Sequence, residues 1–324
     1  MQLPKQKSLS PPGRPPRFED VPFAEVLLDS GETYSLKMDV YQDLNQKTPG
    51  PCIIYYFGGG WMYGEYKQVT QKAVYFRELI RLVEQGFTIV SPSYRLVSQA
   101  LFPACIYDSK AVVRFLKAHA IEYNVDPERI GVLGNSAGGH LAAMVAMSSG
   151  YRAMEGDVGG NLQYSSAVKA AVVFYAPSDL SSLILDSTDI KEKNLNGTEV
   201  DATANPQDNA WMLRAFGFRE SERALEEFGR LTKNGDTKDP DWKYVELIKR
   251  CSPITYASPD CPPMMILHGG QDPLIPIGQS ENLYRALVAA DADALYLAYS
   301  RAGHGPTMGT EADQMAYQFL KNRL

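Results

Sequence analysis

The residues able to do covalent chemistry gather around one serine. Ser136 lies in Gly134-Asn135-Ser136-Ala137-Gly138, between an apolar run at 129–133 and a run of small apolar residues at 139–147. The first run reads as a buried strand and the second as a helix, so the serine falls on a sharp strand-to-helix turn. Such a turn strains the backbone and crowds its neighbours, and glycine at both ends of the pentapeptide meets that demand. It lifts the hydroxyl above the sheet and aims a helix N-terminus at it, where unpaired N–H groups can stabilise an oxyanion. The chemistry this favours is nucleophilic acyl transfer.

A serine hydroxyl needs a base within hydrogen-bond reach and a third group to orient that base. The chain has 4 histidines, so the candidates are few. His119 falls near the end of a predicted helix, on its surface. His140 is one helical turn past Ser136 and projects along the helix, which makes it structural first and a base only as an alternative. His268 directly precedes Gly269-Gly270 and reads as a packing or loop-orienting residue. His304, in Arg301-Ala302-Gly303-His304-Gly305-Pro306, follows the last predicted strand and is assigned as the base. Asp272, in Gly269-Gly270-Gln271-Asp272-Pro273, leaves the preceding strand and is assigned as the acid, giving the chain order Ser136, Asp272, His304. An aspartate before proline also opens turns for purely local reasons. Asp179, in Ala176-Pro177-Ser178-Asp179, competes for the acid role from the end of another strand.

The oxyanion needs backbone donors that can approach closely. Ala137 supplies one. Phe57-Gly58-Gly59-Gly60-Trp61-Met62-Tyr63-Gly64 ends a buried apolar run and supplies the others, with Gly59 and Gly60 assigned as donors. No Lys-Ser/Thr follows these glycines, which argues against a phosphate-binding loop. Trp61, Met62, Tyr63 and Tyr66 follow the loop; Trp211, Met212, Phe216 and Phe218 occur further on. Core packing explains most of these, since amphipathic helices bury such side chains. Trp61 and Tyr63 are the ones expected to touch substrate.

These residues require a scaffold that brings distant strand ends to one edge. Residues 23–28 and 34–41 predict an antiparallel hairpin around Asp29-Ser30-Gly31-Glu32. Strands are then predicted at 52–57, 87–90, 129–133, 168–175, 263–267 and 294–299. Helices are predicted at 66–84, 107–123, 139–147, 277–290 and 310–322, with 124–128 as a loop. This alternation predicts an α/β fold with a mostly parallel, doubly wound sheet of about eight strands. The rhythm breaks at 178–252, a polar stretch with helical pieces at 211–216 and 221–231, which reads as a cap inserted over the strand ends. The proline-rich start, 1–19, reads as a flexible segment preceding a single domain at 20–324.

Composition narrows the partners. A net charge of −6 over 324 residues, with 44% hydrophobic content, fits a soluble globular chain with no nucleic-acid partner. No run approaches the roughly 20 apolar residues of a membrane span, and the start lacks a signal-peptide core, so a cytoplasmic location is expected. The 4 cysteines lack metal spacing. Cys52 and Cys105 read as buried thiols, while Cys251 and Cys261 are close enough in sequence to pair.

With these residues in place, the sequence from about 23 to 324 resembles the α/β-hydrolase superfamily. More narrowly it is similar to H-G-G-G-type carboxylesterases, both hormone-sensitive-lipase-like and bacterial feruloyl-esterase-like. Met38-Asp39-Val40-Tyr41, Ser93-Tyr94-Arg95-Leu96, Phe102-Pro103-Ala104 before Asp108, and Ser252-Pro253-Ile254 carry the narrower likeness. The resemblance implies hydrolysis of a small ester through an acyl-serine, without cofactor or metal. A hydroxycinnamoyl or acetyl ester of a plant-derived sugar is the expected substrate. An arylformamidase or peptidase on the same scaffold, or a non-catalytic binding protein, are the alternatives. One position departs from the pattern: Phe57 stands where the motif has histidine, so a packing contact must brace the glycine loop.

Overall fold

The computed structural model describes residues 17–43, 45–67, 79–186, 191–193, 199–201 and 210–324 of the chain. Strands β1 (Phe18–Leu27) and β2 (Thr33–Tyr41) form the antiparallel hairpin. β1 begins five residues earlier than apolar content alone predicts, because Phe18 packs edge-on against Tyr123 with ring centroids 5.2 Å apart. The expected flexible segment therefore stops short of residue 19, and its first 16 positions lie outside the described residues.

β3 (Gly50–Tyr56), β4 (Thr88–Pro92), helix α1 (Ala104–Ala118), β5 (Val125–Asn135) and helix α2 (Ala137–Met147) follow. Residues 125–128 are strand rather than loop. They carry charge where a buried strand would be apolar, yet Val125 pairs with Gly50 across a register shift in β3. Most of the helix predicted at 66–84 lies outside the described residues; its end is a 3-10 turn, Ile80–Gln85, closed by Gly86 at φ 85°. A one-turn helix, α3 (Arg152–Glu155), leads to β6 (Ala170–Phe174).

The inserted stretch contains α4 (Leu180–Asp186), a small antiparallel pair β7 (Lys191–Lys193) and β8 (Glu199–Asp201), α5 (Ala210–Ala215), α6 (Ala224–Asn234) and α7 (Trp242–Arg250). Then come β9 (Met264–Gly269), α8 (Gly278–Ala289), β10 (Ala294–Tyr299) and α9 (Gly309–Arg323). The main sheet has 8 strands in the order β1-β2-β4-β3-β5-β6-β9-β10. From β4 to β10 every neighbouring pair is parallel, and only the β1/β2 and β2/β4 pairs are antiparallel. β4, β6 and β9 are buried at every position, as parallel strands covered on both faces must be. Parallel strands all end on the same edge, and the loops after β3, β5, β6, β9 and β10 meet there.

The two ends of the insertion are tied to each other and to α8. Ile254 N–H donates to the Ser178 carbonyl at 3.1 Å, and Leu180 N–H donates to Ser252 Oγ at 3.0 Å. Gln279 of α8 accepts from the N–H of both Ser178 and Asp179 at 2.8 Å. The Asp179 carboxylate accepts from Ser181 and Ser182 N–H at 3.0 and 3.2 Å, so it starts α4 and does not serve as the acid. Cys251 and Cys261 do not pair; all four cysteines are free and buried.

His140 completes this root and is not a base. It is fully buried on α2 and its Nε2–H donates to the Cys251 carbonyl at 2.7 Å. Burial pushes its pKa down to about 4, so the ring is neutral in the fold. In the unfolded chain it titrates near the ordinary value of about 6.5. The unfolded state therefore binds more protons between these values. This contribution to stability is whole above pH ~6.5 and is lost as pH falls towards 4, on the order of 3 kcal/mol in total. Urea midpoints should thus fall more steeply from pH 7 to 4.5 in the native protein than in His140→Gln, which keeps a donor and cannot titrate.

Candidate active site

Ser136 occupies the turn between β5 and α2 with φ 53° and ψ −125°, a conformation rarely adopted by a residue with a side chain. Its N–H donates to Phe174 O of β6 at 2.9 Å and its carbonyl accepts from His140 N–H at 3.0 Å, so both ends of the strained residue are tied. Neither flanking glycine has positive φ. They are needed for closeness: a Cβ on Gly134 would lie 2.1 Å from Gly138 O, and one on Gly138 would lie 2.1 Å from Tyr56 O.

The structure brings the three assigned side chains together. His304 Nε2 is 3.1 Å from Ser136 Oγ, and His304 Nδ1 is 2.7 Å from Asp272 Oδ2. An ionised carboxylate only accepts, so the proton sits on Nδ1 and the Nε2 lone pair faces the serine hydroxyl. Asp272 Oδ1 accepts from Leu274 and Ile275 N–H at 2.8 and 2.9 Å. Asp272 thus opens the turn with one oxygen and faces the His304 imidazole with the other. Burial alone would raise the Asp272 pKa, but contacts with His268 and His304 outweigh it and hold the carboxyl well below the usual range. The loop carrying His304 comes this close because Gly269 has no side chain; a Cβ there would meet Ala302 O at 2.5 Å. His119 is partly exposed and pairs with Glu122, far in role from the site.

The glycine loop lies against the same turn. A Cβ on Gly58 would approach Ser136 Cβ to 3.3 Å. Gly59 and Gly60 have φ of 124° and 60°, which a side chain would strain. Gly59 O accepts from Met62 and Tyr63 N–H, folding the loop back on itself. Among the described residues no protein acceptor takes the N–H of Gly59, Gly60 or Ala137. Phe57 braces this loop by packing. Its ring stacks on Tyr94 at 4.3 Å, the Tyr94 hydroxyl donates to Phe57 O at 2.8 Å, and Gly64 leaves room beside the phenyl edge.

Of the two residues expected to touch substrate, Trp61 is 3% exposed and its side chain is taken up in packing. Its φ of 58° turns the ring inward, where it packs against His140 at 5.0 Å and Phe102 at 5.4 Å. Tyr63 does reach the surface, with 66% exposure. Phe216 of the insertion stacks on Phe102 at 4.4 Å, and Trp211 stands 6.4 Å from Trp61, which joins insertion and loop by packing.

Sequence reasoning missed Tyr175. It follows β6 directly, at φ 38°, and its ring lies 4.4 Å from the His304 imidazole. Asn135 links it to the turn: Nδ2 donates to the Tyr175 hydroxyl at 3.4 Å and Oδ1 accepts from Tyr55 OH at 2.6 Å. Its place at the end of the strand beside the serine-bearing strand was the available signal.

Strands in this order, with the serine after the fifth and the histidine after the last, make this an α/β-hydrolase fold. Within it the chain belongs to the BD-FAE family, whose sequence profile matches residues 38–214 and 238–287. It is similar to Esterase LipQ of Mycobacterium tuberculosis, 28% identical over 81% of this chain and 52% of the relative. It is also similar to Carboxylesterase NlhH of the same organism, 36% identical over 34% of this chain and 31% of that protein. The chain spans about half the length of the first of these relatives. Among solved structures it is similar to a truncated carbohydrate esterase from gut microbiota. That match has a TM-score of 0.68 and 26% identity, covering 94% of this chain and 95% of the other. Esterase 2 of Thermogutta terrifontis, with propionate bound, shares the fold at TM-score 0.63 and 22% identity, covering 93% and 94%. No helix among the described residues is long and apolar enough to cross a membrane.

Proposed function

We propose that this protein is a serine carboxylesterase that hydrolyses small carboxylic esters through an acyl-serine intermediate. The observation that carries the reading is the Ser136–His304–Asp272 row, at 3.1 and 2.7 Å, beside the N–H groups of Gly59, Gly60 and Ala137, which no protein acceptor takes among the described residues. Ser136 Oγ attacks the ester carbonyl while His304 Nε2 takes its proton. Asp272 holds the Nδ1–H and stabilises the imidazolium that forms. The tetrahedral oxyanion is stabilised by the N–H of Gly59, Gly60 and Ala137. His304 then protonates the departing alcohol, and water repeats the sequence on the acyl-enzyme.

The finer reading is an aryl acyl group such as a hydroxycinnamate, or a short acyl group on a sugar. Exposed Met62 and Tyr63 after the glycine loop, and exposed Leu274 after Asp272, support an apolar rim for such a group. The carbohydrate esterase among the similar structures supports the sugar. The insertion at 178–252 serves as the cap, since Trp211 and Phe216 pack on the residues behind the loop.

A fluorophosphonate probe tests the reaction class. It should add its mass to Ser136 alone among the serines, and the native protein should hydrolyse p-nitrophenyl acetate far faster than the matched anilide. Labelling elsewhere, or equal turnover of ester and amide, would overturn the assignment. Turnover of methyl ferulate against an acetylated sugar then separates the two acyl groups.

A further inference from the structure

We propose that His268 is a positioning residue that fixes the Asp272 carboxylate for His304 and moderates its pull on the imidazole proton. The inference rests on the catalytic reading above. His268 stands within β9 beside Gly269 and is fully buried. Its Nε2 lies 2.9 Å from Ile275 O and 3.3 Å from Asp272 Oδ2. Both neighbours are acceptors, so Nε2 carries a proton. On the other side, Nδ1 is 2.7 Å from the hydroxyl of Ser280 on α8, which holds the ring in this orientation.

These contacts close a loop around the acid. Ile275 N–H donates to Asp272 Oδ1, and Ile275 O accepts from His268, whose N–H edge also faces Oδ2. The carboxylate cannot rotate without breaking one of these. Asp272 Oδ2 therefore serves two imidazoles at once, His304 at 2.7 Å and His268 at 3.3 Å. An oxygen already facing a second N–H edge attracts the His304 proton less than a free one would. A histidine that only filled space would be satisfied by Ser280 and Ile275; the contact with the acid goes beyond that. Among the described residues the pair is also faced by the neutral Ser280 and by the Tyr175 ring, 6.5 Å from His268 and 4.4 Å from His304.

The test is kcat and KM for p-nitrophenyl acetate across pH 5–9, in the full chain, for His268→Met, His268→Gln and Ser280→Ala. Ser136→Ala is measured beside them. His268→Met should lower kcat about tenfold or more, because a catalytic group has lost its alignment, with KM changed by less than about twofold. It should also move the acidic limb of the profile up by about half a pH unit, since the unshared carboxylate holds the imidazole proton more firmly. His268→Gln, whose amide N–H can reach Ile275 O, should recover most of both. If His268→Met does not fold, Ser280→Ala reports instead, and its limb should shift in the same direction. A folded His268→Met, or in its place Ser280→Ala, with the native limb and native kcat overturns the inference. An active Ser136→Ala overturns the catalytic reading itself, whereas an inactive one beside an unmoved limb overturns only the role of His268.

Discussion

Replacing Ser136 by alanine should lower kcat on p-nitrophenyl acetate by about a millionfold while leaving the fold intact. The nucleophile cannot be supplied by another hydroxyl, since the imidazole lone pair is aimed at this oxygen from 3.1 Å. Alanine at φ 53° is strained as much as serine, so thermal unfolding should be nearly unchanged. Glycine at the same position should be equally inactive yet raise stability by about 1 kcal/mol, because it relieves the left-handed backbone. The two variants together separate the chemistry from its structural cost: both are dead, and one is more stable than the native chain. Calorimetry and steady-state assays on the same preparations are the measurement. A Ser136→Gly protein less stable than native would show that the turn is not strained.

Gly138→Ala should have a large effect on stability. Its Cβ would fall 2.1 Å from Tyr56 O and 2.5 Å from Phe57 O, and both are backbone atoms that cannot swing aside. Helix α2 would have to move away from the end of β3, carrying Ser136 with it. A loss of at least about 3 kcal/mol is expected, together with a fall of a hundredfold or so in kcat/KM from the displaced nucleophile. Gly229→Ala in α6 is the control, since its nearest neighbour is a movable Leu185 methyl at 3.3 Å and alanine favours a helix. Differential scanning of the pair gives the contrast directly.

The strand framework and the order Ser136, Asp272, His304 were legible in the sequence because each rests on a local rule. Apolar runs of strand length, a serine between glycines and an aspartate before Pro273 need only near neighbours to be read. What was not legible depends on how the backbone turns in space. Trp61 follows three glycines and could be read as a substrate contact or as packing, but only its left-handed φ shows the indole swung onto His140 and Phe102. The crowding that demands glycine on both sides of Ser136 was legible, but that Gly138 is needed for α2 to touch the end of β3 was not. The strand at 125–128 starts where Val125 pairs with the distant Gly50, and no periodicity in its own side chains announces it. Tyr175 and the link from His268 to Asp272 join elements far apart in the chain, so only packing reveals them.

The chain departs after Ser178 and returns at Ile254 through one hydrogen-bonded doorway, and a second tie holds the far side, where Phe102 N–H donates to Ala215 O at 2.9 Å and Phe216 stacks on Phe102. Lengthening, shortening or exchanging that stretch leaves the hinge points of the sheet where they are. The Ser136–His304–Asp272 row draws on the loops after β5, β9 and β10 and on none of the insertion's residues, so the two parts can change in sequence separately.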